Sequence, residues 1–345
     1  MSFADLSERE KLILKALVEY YINTAEPVGS RTLAKKYDIG LSPASIRNIM
    51  KDLEEMGYLK HPHASAGRIP TATAYRNYVD YLLTPEKISS DEKSLIDEQI
   101  GGEYRAIDVL LEHTCRILSN LSNQLSVTLV SRIEAAVLTR LELIPVGEKK
   151  LLVILVVQSG FVKSIILETS TDLSDIALNE TAQILNERLC GLTLGEIRRT
   201  IGERVKDTQQ GDPKLIKLLI EGGDELWDIP DNQHLHFAGT SNLSKQPEFQ
   251  DPRDVAQVVS LVENKSAIRG LLESAGISEG IAVMIGRDSL AASGEQISVL
   301  TSSYNVVGMK GVIGIIGPTR MNYSRLVGLM DYTAKMLSNV LTDKS

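Results

Sequence analysis

Cysteine is nearly missing from this chain of 345 residues: only Cys115 and Cys190 occur. Two thiols so far apart make neither a disulfide framework nor a cysteine zinc site, and they fit a reducing compartment. Long apolar runs are missing as well. The longest, Leu151 to Val157, has seven residues, against the ~20 that a membrane-spanning helix needs. The stretch Met1 to Glu10 shows no basic region leading into an apolar run and a small-residue cleavage site. Export is therefore not expected, and a cytoplasmic location without membrane contact is. HExxH and a paired-carboxylate arrangement with a partner are absent, so an enzyme reading has little support. Gly314 to Arg320 lacks the Gly-Lys-Ser/Thr ending of a phosphate loop and reads as a strand followed by a turn. His234 and His236 share one face of a strand, but two ligands fall short of the usual three or four. No metal and no cofactor are expected.

Aromatic residues are scarce at 5%, while 43% hydrophobic and 24% charged residues give an ordinary globular composition. The length allows two or three domains of ~100 to 200 residues. Net charge is -8, which at first argues against a polyanionic partner. Its distribution reverses that inference. Residues 1–84 carry 11 Lys+Arg against 10 Asp+Glu, so the acidity lies in the remainder, with 26 against 35. Between Glu55 and Asp80 no acidic residue occurs, while Lys60, His61, His63, Arg68 and Arg76 do.

This N-terminal block has the pattern of a winged helix. Ser7-Glu8-Arg9-Glu10 fits a capping box that opens a helix with an apolar stripe of Ile13, Ala16, Leu17, Tyr20 and Tyr21. Glu26-Pro27-Val28-Gly29 breaks it. Ser30 then caps a short helix to Tyr37, Asp38 to Leu41 forms a turn, and Ser42-Pro43 starts a third helix that runs to about Met56. On this helix Ile46, Ile49, Met50, Leu53 and Met56 share one face. Ala44, Ser45, Arg47, Asn48 and Lys51 share the other, small, amide-bearing or basic, as a recognition helix in the major groove would be. Tyr58 to His61 and Arg68 to Pro70 pair as a wing around the loop from Pro62 to Gly67. Ser45, Arg47, Asn48 and Lys51 are the expected groove and phosphate contacts. Arg47 suits a guanine edge, and Asn48 an adenine edge or a phosphate. Arg31 and Lys35 on the preceding helix, with His63, Ser65 and Arg68 in the wing, suit phosphate. The imidazoles of His61 and His63 serve equally to cap or pack the loop, and winged helices also act as protein-binding modules.

Three segments carry a closer resemblance: Pro27 to Arg31, Leu41 to Met50, and His63 to Thr71. With Tyr75 to Asp80 and Gly314 to Tyr323, they resemble the HrcA family of heat-inducible transcription repressors over nearly the whole chain. The resemblance implies a homodimer that represses chaperone operons from an inverted-repeat operator on double-stranded DNA, the CIRCE element. It also implies dependence on the GroE chaperonin. In architecture it implies a winged helix, a GAF-like domain and an inserted dimerisation domain.

Beyond the wing, Thr84-Pro85 stops a helix, and Ser89 to Glu92 caps an amphipathic stretch over residues 91–125 that Gly101-Gly102 interrupts. Ile107, Leu110, Leu111, Thr114, Ile117, Leu118, Leu121 and Leu125 form its stripe, for packing within its own domain or, less readily, between chains. Lys150 to Val157 and Phe161 to Leu167 read as a hairpin about Gln158-Ser159-Gly160. Helices are expected over 173–189, 194–205 and 324–341, and strands over 234–237, 281–285, 296–304 and 311–316. The order of elements gives an α+β multidomain protein. Its expected divisions are 1–84 for the winged helix, 85–125 for a connecting helical region, 126–170 with 250–345 for the GAF-like domain, and 171–249 for the insert. A GAF-like domain leaves a repressor gated by a small molecule as an alternative to one gated by a chaperonin. A winged-helix interaction module that never meets DNA is the alternative from another class.

Overall fold

Ser7 starts α1 (Glu8–Thr24) as its spacing predicts: the hydroxyl accepts the Glu10 N–H at 3.3 Å, and the Glu10 carboxylate accepts the Ser7 N–H at 2.7 Å. In this computed structural model the described residues are 3–343 without 64–65, 103, 105, 132, 170–173, 207–210, 223–225, 228–234, 250, 252–255, 257–259, 261–262, 275–279, 287–295 and 308. Along α1, Ile13, Ala16 and Leu17 are buried with Leu14, Val18 and Ile22. Tyr20 and Tyr21 are only half-buried. Next come α2 (Ser30–Lys36) and α3 (Pro43–Glu55), then β1 (Leu59–Lys60) paired antiparallel with β2 (Ile69–Pro70), and α4 (Ala72–Asn77). A π-helical turn, Tyr78–Leu82, ends before Thr84-Pro85. Three helices and a hairpin make the winged helix that the sequence predicts.

A capping box at Ser89 opens α5 (Ser90–Ile100), Gly101-Gly102 interrupts as read, and α6 (Ile107–Ser122) follows. Leu125, read as the last rung of the helical stripe, is instead the first residue of β3 (Leu125–Ser131), because the helix stops at Asn123 in the left-handed region. Five strands form one antiparallel sheet in the order β7-β3-β10-β9-β8, where β7 is Leu235–Ala238, β8 is Ile281–Ile285, β9 is Ile297–Val306 and β10 is Met309–Pro318. One face packs on α6 and on the last helix, Tyr323–Asp343. The other packs on Lys265–Ser274. Gly314 of β10 lacks a Cβ because Leu272 of that helix occupies its place, at 2.7 Å.

Between β3 and β7 the chain leaves this sheet and builds another. β4 (Leu138–Pro145), β5 (Lys150–Val157) and β6 (Val162–Glu168) form an antiparallel sheet of their own. One face is covered by α7 (Asp175–Leu189), with α8 (Leu194–Arg204) and α9 (Pro213–Glu221) beside it. Asn186 of α7 stands in for a strand at the β4 edge: its Oδ1 accepts the Leu141 N–H and its Nδ2 donates to Leu141 O, both at 2.8 Å. The expected hairpin of 150–167 is present, but not in the sheet with β3. The expected partition, 126–170 with 250–345, therefore needs correction. Residues 138–168 go with the helices of 175–221, and 235–238 joins the five-stranded sheet. α6 is likewise a layer of that body and no mere connector. A Val/Ile/Leu run shows that a strand is buried, and its partner is set by long-range pairing that periodicity does not carry.

Helices α10 (Thr240–Ser244), α11 (Lys265–Ser274) and α12 (Tyr323–Asp343) complete the body. The winged helix sits on its β8 edge. Arg76 Nη1 of α4 donates to Val283 O at 2.6 Å, which occupies a carbonyl on an edge strand. The rings of Tyr75 and Tyr323 lie 6.2 Å apart. Arg320 Nη1 donates to Ile22 O at 2.8 Å, and its other nitrogens hold Glu248. Ile22 O is among the last α1 carbonyls, which have no partner within the helix.

Candidate nucleic-acid interface

Ser42 fixes where the recognition helix begins. Its hydroxyl accepts the Ser45 N–H at 3.1 Å, and Pro43 takes the first position, where no N–H is needed. From that start, Ile46, Met50 and Leu53 turn into the core while Ala44, Ser45, Arg47, Asn48 and Lys51 are all exposed. The division of faces is the one the sequence predicts. Lys51 Nζ is 3.3 Å from Glu55 Oε1 with both side chains about two-thirds exposed, at 68% and 66%. Exposed i,i+4 pairs contribute only ~0.3–0.5 kcal/mol, so the ammonium is readily given up to a phosphate.

Arg31 and Lys35 are exposed on α2, which packs against α3. His63 is exposed in the wing loop, and Ser65 lies outside the described residues. Arg68 is placed differently. Its Nη2 is 2.8 Å from Glu54 Oε2 of α3, with 18% of the arginine and 28% of the glutamate side chain exposed. Its backbone exchanges two hydrogen bonds with Val28: Val28 N–H to Arg68 O at 2.8 Å, and Arg68 N–H to Val28 O at 2.9 Å. Gly67 permits this approach, since a Cβ there would lie 2.5 Å from Val28 O. The motif residues Pro27-Val28-Gly29 and Gly67-Arg68 are thus two sides of one contact. Glu54 escaped the sequence reading because an acidic residue late in a surface helix carries no mark of its partner 14 positions on.

Among the described residues no group of His, Cys, Asp and Glu is suited to a metal. His234 lies outside them, and His236 Nε2 is 3.0 Å from Asp108 Oδ1 of α6. Cys115 is fully buried, which pushes its thiol up to about 12 despite hydrogen bonding with Thr128, and leaves it protonated. Gly314 to Pro318 lies within β10, a strand rather than a phosphate loop. No helix is long and apolar enough to cross a membrane among the described residues.

Comparison with known proteins agrees with this geometry in both halves of the chain. Residues 5–80 match the family described as winged helix-turn-helix transcription repressor, HrcA DNA-binding, and residues 108–327 match the HrcA protein C terminal domain. The chain is 38% identical to the heat-inducible transcription repressor HrcA of Chlorobium phaeobacteroides strain BS1, over 99% of this chain and 100% of the relative. Against the repressor of the same name from Geobacter sulfurreducens it is 38% identical, over 98% of each. A crystal structure described as that of a hypothetical protein shares the fold, with a TM-score of 0.62 at 24% identity over 99% of this chain and 100% of that one. A recognition helix with a basic and amide-bearing outer face, on a chain matched by both family descriptions, is that of a transcription repressor: the chain belongs to the HrcA family.

Proposed function

We propose that this chain is a homodimeric heat-shock repressor that binds an inverted-repeat operator of the CIRCE type upstream of chaperone operons, and that heat releases it. The exposed row of Ser45, Arg47, Asn48 and Lys51 carries the reading. Arg and Asn at the start of a groove helix supply bidentate donors and acceptors for base edges, and Arg31, Lys35 and Lys51 supply phosphate contacts. The names of the relatives support regulation rather than catalysis. The five-stranded body takes the part of the GAF-like domain, and GroE chaperonin the part of the partner that keeps the repressor active, in the cytoplasm.

Pairing is assigned to the inserted sheet. The face of β4-β5-β6 away from α7 carries the row Ile144, Leu152 and Ile166 in register, with Ile154, Val156 and Val162 beside it. Ile144 is 37% and Ile166 57% exposed. Such an apolar sheet face, buried against its copy, would place two recognition helices on successive major-groove turns of a palindrome. A gel-shift titration on the inverted repeat and on a scrambled duplex, at two salt concentrations and with or without chaperonin, tests the whole reading. Selective, salt-sensitive binding is expected. A folded wild-type protein with no operator preference would refute it, and Ile166→Asp that remains dimeric by sedimentation would refute the assigned seam.

A further inference from the structure

Arg68 was expected to hold phosphate, yet its guanidinium turns toward the protein. Glu54 Oε2 receives its Nη2 at 2.8 Å, and Glu54 Oε1 lies 3.6 Å from His61 Nε2. His61 Nδ1 lies 3.1 Å from Ala66 O and 3.3 Å from Arg68 Nη1. That ring nitrogen can serve only one of the two, according to the tautomer, whereas the Glu54 carboxylate accepts from Arg68 in either case. The Nε atom is buried without a partner, so this edge of the guanidinium is not turned to solvent. From Arg68 the contact continues through the backbone to Val28, two residues before α2 begins. One side-chain pair therefore joins all three elements that face DNA: the recognition helix, the wing and the start of α2.

We propose that Glu54 and Arg68 are positioning residues. Their ion pair sets the wing against the recognition helix, and the wing meets DNA through its tip, not through Arg68. This assignment rests on the repressor reading above. A guanidinium held against a planar carboxylate, each less than a third exposed, is a directional contact that water screens poorly. Freeing Arg68 for a phosphate would take from the partly buried Glu54 carboxylate its shortest cationic contact.

The pair separates two roles that simple charge counting confuses. If Glu54 acted only through its charge, Glu54→Gln would remove repulsion from the phosphates and tighten operator binding. A positioning role predicts the opposite. In the full-length chain, Glu54→Gln and Arg68→Gln should each weaken operator binding about tenfold, the scale of a lost charge-assisted hydrogen bond. The slope of log K against log salt should stay that of the wild type, and the swapped pair Glu54→Arg with Arg68→Glu should recover much of the loss. Amide exchange at Val28 and Arg68 should quicken in both single variants and slow again in the swap.

Tighter or unchanged binding by Glu54→Gln would overturn the proposal. So would a slope reduced by about 0.9 in Arg68→Gln, the mark of one lost phosphate contact. Should the wild type show no operator preference, the repressor reading falls, and the exchange rates alone decide whether the clamp exists: unchanged rates in Glu54→Gln would overturn it.

Discussion

An arginine whose guanidinium is already paired within the protein has fewer donors left for a base, and in this respect Arg47 and Arg68 part company. Arg47 is exposed on the outer face of α3 near its start, whereas Arg68 is held by Glu54. Arg47→Ala is expected to cost ~1–3 kcal/mol of operator affinity and to relax preference at one base position. Titrating operators substituted one base pair at a time checks this, and an equal loss on every duplex would mean that Arg47 holds phosphate. Lys51→Ala should instead weaken all sequences alike and lower the salt slope by about 1. A glycine can matter as much as these charges. At position 67 a Cβ would meet the Val28 backbone at 2.5 to 2.7 Å, and backbone cannot swing aside as a side chain does. Gly67→Ala should cost ~1–3 kcal/mol, the range for forced overpacking. The effect would appear as a lower melting temperature and weaker operator binding together. A variant of wild-type stability would show that the Val28 contact yields freely.

At the scale of elements, what the sequence shows is what local chemistry controls. Capping boxes at Ser7 and Ser89, Pro43 after Ser42, and the break at Gly101-Gly102 all appear where the residues place them, because each is settled within one turn of chain. The outer face of α3 was legible for the same reason, through its helical period. Sheet membership was not. β5 pairs with β4 and β6, and β3 with β7 and β10, although all are similar apolar runs. The Glu54–Arg68 pair and the Arg320–Glu248 pair join residues far apart in sequence, so no spacing announces them. Helix–helix contacts of this kind also set the response to acid. Glu92, in the first turn of α5, is held below its ordinary 4.5 by Arg325 of α12 first and by its capping partner Ser89 second. A carboxylate with a depressed pKa contributes stability that is full above its ordinary value and is lost as pH falls through the lower, folded value. The packing of α5 on α12 should therefore weaken as pH falls below the ordinary carboxylate value and through the lower, folded one. Glu92→Gln should lower the melting temperature at neutral pH and have little effect in acid strong enough to protonate Glu92 in the folded chain. An equal deficit at both ends would show that the charge of Glu92 is not what the packing uses.

For the whole molecule, the seating of the winged helix matters because its contacts all fall on the body built around the five-stranded sheet. Arg76 binds β8, Tyr75 meets the first residue of α12, and Arg320 joins the end of α1 to Glu248. The linker follows the same path, with Glu86 N–H donating to Ser324 O at 3.0 Å. The DNA-binding head is thus carried at a set angle by the body, while pairing is assigned to the insert beyond it. Loss of pairing alone would then suffice to end repression. Two heads joined in one dimer bind a palindrome ~10²–10⁴ times more tightly than either head alone, so release need not await unfolding of the head. The chain supplies its own reporter for this sequence of events. Trp227, the single tryptophan, is 2% exposed within the insert, beside Leu226, whose carbonyl accepts from Lys163 Nζ of β6 at 3.0 Å. On heating, the red shift of Trp227 emission should coincide with dissociation into single chains and with loss of operator binding, before the helical signal of the winged helix is lost. Operator binding that persists after the emission shift is complete would show that heat acts on the head itself, and the insert would then have no part in sensing temperature.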